Sequence, residues 1–139
     1  MSTVALSQNH CIPSPSIIDY FIYTINKYFD GLLEAIKKLP DELFDNLFES
    51  TKSSLLTNAE ELGRILLVFA KNPIPITEKD IADTQKILDW MEGCLDSKEN
   101  LYRLTSEQRH RLESSYQNIS QYLCMILIRQ ADTAKDLEA

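Results

Sequence analysis

The chain has 139 residues, 44% hydrophobic and 25% charged, with three glycines, five prolines and a net charge of −7. That length suits one domain that buries its own core without metal or disulfide help, and so few glycines and prolines argue against an all-β fold with many turns. The acidic balance argues against a general nucleic-acid binder, because phosphate contacts need basic surface.

Residues 1–13 hold no sustained period and read as a flexible N-terminal tail ahead of one helical domain over 14–139. The first helix is expected to start near SPSIID, with Ser14 as cap and Pro15 in the first helical position. Ile18, Phe21, Ile22, Ile25, Phe29, Leu32, Leu33, Ile36 and Leu39 then recur at helical spacing. The aromatics here (Tyr20, Phe21, Tyr23, Tyr28, Phe29) read as core and flank packing. Pro40 ends the run.

A second helical region opens with PDELFDNLF, whose acids favour the positive end of a helix dipole. ESTKSS interrupts the apolar face before Leu55, Leu62, Leu66 and Phe69 resume it. Thr57 with Glu60 fits a capping box and a new helix. The register through Phe44, Leu47, Thr51, Leu55, Asn58, Leu62, Leu66 and Phe69 favours instead one helix, bent near 50–57, with Thr51 tolerated inside.

KNPIPI reads as a linker, because its two prolines exclude a helix and favour an extended crossing. Thr77 with Asp80 signals the third helix, which carries Ile81, Thr84, Leu88, Met91 and Leu95, widened by Ile87, Trp90 and Cys94. KENLYRLT reads as a turn or a loop. Thr105 with Gln108 fits another capping box and opens the last helix. Its inner face holds Leu112, Tyr116, Ile119, Leu123, Ile126 and Leu127. Tyr122, Met125 and Ile128 form a second apolar face, a candidate interface.

Four long helices with short connections define an all-α, four-helix antiparallel bundle running up-down-up-down. RILLVFAK and YLCMILIRQ then fall at one end, expected beside the start of the third helix and the end of the first. The longest apolar run, residues 122–128, is far below the roughly 20 residues of a membrane span. Cys11, Cys94 and Cys124 are odd in number, far apart and without CxxC spacing. With no signal peptide visible at the start, the expectation is a cytoplasmic protein without disulfides.

No Gly-rich phosphate loop or nucleophile elbow is present, so no catalytic residue, cofactor or metal ligand is assigned. Glu107-x-x-His110 has the spacing of a di-iron half-site, but that site needs a second such pair. The stronger pointer is YRLTSEQRHR. Arg103, Arg109, His110 and Arg111 cluster around a helix start, where free N–H groups and cations can hold an anion such as RNA, a nucleotide or an acidic partner. Against this, Glu107–Arg111 and Arg109–Glu113 fit ordinary helix-surface pairs.

The Arg103-x6-His110 spacing is similar to the Arg-x4–6-His motif of HEPN domains, which are small helical bundles. That resemblance implies metal-independent RNA cleavage across a dimer, with Arg103 and His110 at the shared site. The reading that best fits the residues is a non-enzymatic helical protein-interaction or regulatory module acting as a homodimer, because the last helix offers more apolar surface than one bundle needs. The alternatives are a HEPN-like ribonuclease or RNA-binding domain, and a regulator sensing a small ligand in an apolar cavity near Trp90.

Overall fold

The computed structural model describes residues 16–38, 49–98 and 103–138. The expected tail, the Ser14–Pro15 start, the opening of the second helical region at 40–48 and residues 99–102 lie outside them. The described residues form four helices and no strand: α1 (Ser16–Lys38), α2 (Glu49–Lys71), α3 (Glu78–Asp96) and α4 (Ser106–Glu138).

Each helix forms around one buried stripe. On α1, Ile18, Ile22, Ile25, Phe29 and Leu32 are all buried, at alternating steps of four and three. Phe29 meets the ring of Trp90 edge-on at 5.0 Å. The other aromatics of α1 divide: Phe21 and Tyr28 pack on the core, whereas Tyr20 and Tyr23 stand outside it, 59% and 67% exposed. Their two positions fall on the side of α1 opposite the stripe, so helical geometry turns them away from the core that an aromatic is expected to seek.

α2 runs unbroken through ESTKSS. Thr57 and Glu60 therefore do not start a helix; both contact Arg111 of α4 instead. The inner polar residue is Lys52, not Thr51. Lys52 is 3% exposed, and its ammonium donates to the Arg103 carbonyl at 3.0 Å and pairs with Glu49 at 3.2 Å. Two oxygens replace the lost water, which is what makes a buried lysine tolerable.

α3 and α4 start as their residues dictate. Thr77 caps α3, its hydroxyl accepting the Asp80 N–H at 3.1 Å. Thr105 and Gln108 form a reciprocal box: the Gln108 N–H donates to the Thr105 hydroxyl at 3.1 Å and the Thr105 N–H to the Gln108 side chain at 2.9 Å. Two orphan amides of the helix start are thereby satisfied.

Cross-helix contacts fix the directions. Along α2 and α4, Gln108 meets Glu49, Arg111 meets Glu60 and Arg129 meets Phe69, so the two run parallel. Arg109 meets Leu95 and Tyr116 meets Glu92, so α3 and α4 are antiparallel. Asp19 meets Asp80 and Phe29 meets Trp90, so α1 and α3 are parallel. Direction thus alternates along the chain. The packing is not that of sequential neighbours, however. α1 and α4 each pack on both α2 and α3, so α2 and α3 lie on one diagonal and the linker between them crosses the end of the bundle.

The ends of α2 and α4 do meet in a dense apolar zone with Leu66, Phe69, Ile76, Leu123 and Ile126, all buried. Each such side chain contributes about 1.5–3 kcal/mol. It is the start of α1, not its end, that joins them, because α1 runs parallel to α3. Among the described residues no helix is long and apolar enough to cross a membrane. Cys94 and Cys124 are free thiols.

Candidate functional site

The basic candidates lie just before α4 and in its first two turns. Just before it, Arg103 adopts the left-handed conformation, φ 51°, which costs a residue with a Cβ roughly 1–2 kcal/mol. That turn aims its carbonyl at the buried Lys52 ammonium and sinks Leu104 into the core.

The three basic residues that follow are not gathered into one pocket. Arg109 reaches back to α3 and donates to the Leu95 carbonyl at 2.6 Å. A cation there meets the negative end of that helix. Arg111 turns to α2 and grips Glu60 through two hydrogen bonds, at 2.7 and 3.1 Å. The grip holds the Glu60 carboxyl below its usual range and raises the Arg111 guanidinium above its own. His110 lies between them on the exposed side. Among the described residues no group of three or more His, Cys, Asp and Glu converges as a metal site would need.

The apolar second face divides too. Tyr122 is half-buried and lines a cleft between α2 and α4. Met125 and Ile128 point outward, 41% and 58% exposed. Around them residues 114–128, SSYQNISQYLCMILI, carry no charge. Ser114, Gln117, Gln121, Cys124, Met125 and Ile128 are all exposed, so an uncharged strip runs along the outside of α4 for four helical turns.

Sequence reasoning missed the residues that end this strip. Arg129 donates to the carbonyls of Phe69 at 2.6 Å, Ala70 at 3.2 Å, Asn72, and Ile74 at 2.9 Å. Gln130 accepts the Ile76 N–H at 2.8 Å. The signal was present in KNPIPI. A helix followed by two prolines and no capping glycine is short of local N–H donors for its last carbonyls, which a distant side chain can then serve.

Cys94 and Cys124 differ in reactivity. Burial pushes the Cys94 thiol up to about 12 despite the nearby Arg109 charge, which makes it inert. Cys124 sits on the uncharged strip, exposed.

The chain matches no family model, no curated protein and no solved structure. The site must therefore be read from its chemistry alone.

Proposed function

We propose that the protein is a non-enzymatic helical interaction module that pairs with a second copy of itself through the outer face of α4. The observation that carries this reading is the uncharged strip of residues 114–128 ending in exposed Met125 and Ile128. Interface cores are depleted of charge and enriched in residues such as Met. Two copies at net charge −7 each repel, so they meet most favourably where neither presents a charge. An exposed thiol on the same strip suits a reducing, cytoplasmic setting.

Sedimentation and light scattering test this. The wild type is expected to be dimeric at micromolar concentration, and Met125→Asp with Ile128→Asp to be a folded monomer. Pairing is expected to tighten as salt rises, because salt screens the repulsion between acidic copies. A bismaleimide cross-link through Cys124 in a Cys11→Ser background gives a second reading. A wild type that stays monomeric on concentration sinks the proposal.

The HEPN-like reading makes the opposite salt prediction. RNA bound around Arg103 and His110 is released as salt rises, and Arg103→Ala with His110→Ala abolishes any cleavage. That outcome would replace the proposal.

A further inference from the structure

Between α3 and α4 runs an open groove of about 380 Å³, floored by Leu88, Leu123 and Leu127. Its α3 wall is acidic. Asp89 and Glu92 line it, and Asp96 continues the same face of the helix one turn on. All three are exposed to solvent. Acids on other faces have basic partners, as Glu34 has Lys38, Glu61 has Arg64 and Asp83 has Lys79. Among the described residues, none of the three groove acids pairs with a cation. The last turn of α3 also holds no basic residue, although the helix dipole favours one there and disfavours Asp96. Arg109 serves the Leu95 carbonyl at that end but forms no pair with the three carboxylates. From α4, the Tyr116 hydroxyl donates to Glu92 at 2.8 Å. That bond raises the hydroxyl above its ordinary value, and burial and the charges of Glu92, Asp89 and Asp96 add to it. The three carboxylates therefore act together at the groove, where like charges at helical spacing repel one another.

We infer that the groove docks a basic amphipathic helix of a partner protein, its apolar residues on the three leucines and its Lys or Arg residues on Asp89, Glu92 and Asp96. Charge complementarity selects this occupant. The segments of the chain outside the described residues, 1–15, 39–48 and 99–102, contain no Lys or Arg. A second copy brings a net charge of −7 to a wall that is already negative. A small cation would meet the carboxylates but leave the leucines unused. A helix meets both, because its anchors and its charges recur at the same three- and four-residue steps as the wall. Of the exposed residues assigned to pairing between copies, the groove shares only Cys124, and the inference does not depend on that pairing.

The test combines fluorescence anisotropy with an NMR titration of the full chain. The probe is a labelled Leu/Lys peptide of about four helical turns, with leucines at i, i+3, i+4 and i+7. A scrambled peptide of the same composition and the small polycation spermidine serve as controls. The amphipathic probe is expected to bind saturably in the micromolar range, to shift the amides of Leu88, Glu92, Leu123 and Leu127, and to weaken as salt rises. Asp89→Asn with Glu92→Gln is expected to weaken it about tenfold without lowering the melting temperature, since the change relieves repulsion. Asp30→Asn with Glu34→Gln, which removes the same charge from α1, is expected to leave binding within about twofold. The proposal is overturned if the probe does not saturate, or if its shifts fall outside the groove. It is equally overturned if the scrambled peptide or spermidine produces the same groove shifts, or if the α1 pair of substitutions weakens binding as much as the groove pair.

Discussion

Where α4 begins, its side chains meet side chains of α2: Gln108 with Glu49, and Arg111 with Glu60 and Thr57. At the opposite end, where α4 finishes, a side chain meets backbone. One guanidinium, Arg129, collects carbonyls from the end of α2 and from the linker. The first arrangement is partly open to water, with Arg111 and Glu60 each 31% exposed in their side chains. The second is part-buried too, but it is made to the backbone of a helix end whose Phe69 is 0% exposed. Arginine thus does two jobs in one chain. As half of a surface pair it competes with water and adds little. As a clamp on carbonyls of a helix end and linker, where prolines remove local N–H donors, it limits a desolvation penalty.

The largest effect is therefore expected from Arg129→Ala. It leaves several carbonyls of α2 and the linker unserved, and each hydrogen bond to a charged group is worth about 1.5–3 kcal/mol, not additively. A loss of about 3 kcal/mol in urea unfolding is expected. Arg129→Lys should recover less than half, because an ammonium cannot present the planar fork that spans carbonyls of two segments. If the alanine variant loses under 1 kcal/mol, water serves those carbonyls adequately and the contrast between the two ends collapses.

The same end holds a carboxyl pair that sharpens the contrast through pH. Asp80 is 2% exposed, with one oxygen unbonded. Burial raises its carboxyl to about 6, helped by the hydrogen bond and charge of Asp19 and opposed by Thr77 and Lys79. A carboxyl raised above its unfolded value of 3.8 binds its proton more tightly in the folded state. Stability should therefore fall as pH rises from about 4 through 6, and the penalty should be complete above that. At 1.36 kcal/mol per unit, the upper bound is near 3 kcal/mol, and about half of that is the realistic size. Asp80→Asn should be more stable than wild type at pH 7.5 and level with it at pH 4.5. Glu60, whose carboxyl is lowered, acts in the other direction but below the usual carboxylate range, so the window between pH 5 and 7 belongs to Asp80. A wild type whose stability is flat across that window would mean that the pair is solvated.

Where the sequence was legible, the interactions were local. Thr77 with Asp80, and Thr105 with Gln108, lie three residues apart, so residue type and spacing were enough to place the starts of α3 and α4. The core stripe of α1 was legible for the same reason. Arg129 and Gln130 were not, because their partners lie more than fifty residues away. Lys52 was lost in an apparent interruption, since periodicity counts apolar residues and cannot register a lysine buried among oxygens. Thr57 and Glu60 show the converse case, in which the register of the apolar face rightly outweighed a local signal. Their types and spacing matched a cap, but both are claimed by an arginine on another helix. The four basic candidates around the start of α4 were legible as a cluster along the chain. Their divergence in space was not, because consecutive helical residues point about 100° apart.

The smallest effect separates the two roles of arginine most directly. In a double-mutant cycle, Arg111→Ala and Glu60→Ala should couple by about 0.5–1 kcal/mol, the upper part of the range for exposed pairs, because the contact is bidentate. Half a molar salt should erode that coupling, since the Debye length shrinks below the size of a side chain. The clamp of Arg129 is made to neutral carbonyls, so the cost of Arg129→Ala should change little over the same salt range. The comparison needs both arms. Coupling that persists in high salt would place the Arg111–Glu60 pair in a drier setting than its exposure implies. A salt-sensitive Arg129 would mean that its charge, rather than its hydrogen-bond geometry, holds the end of α2 to α4.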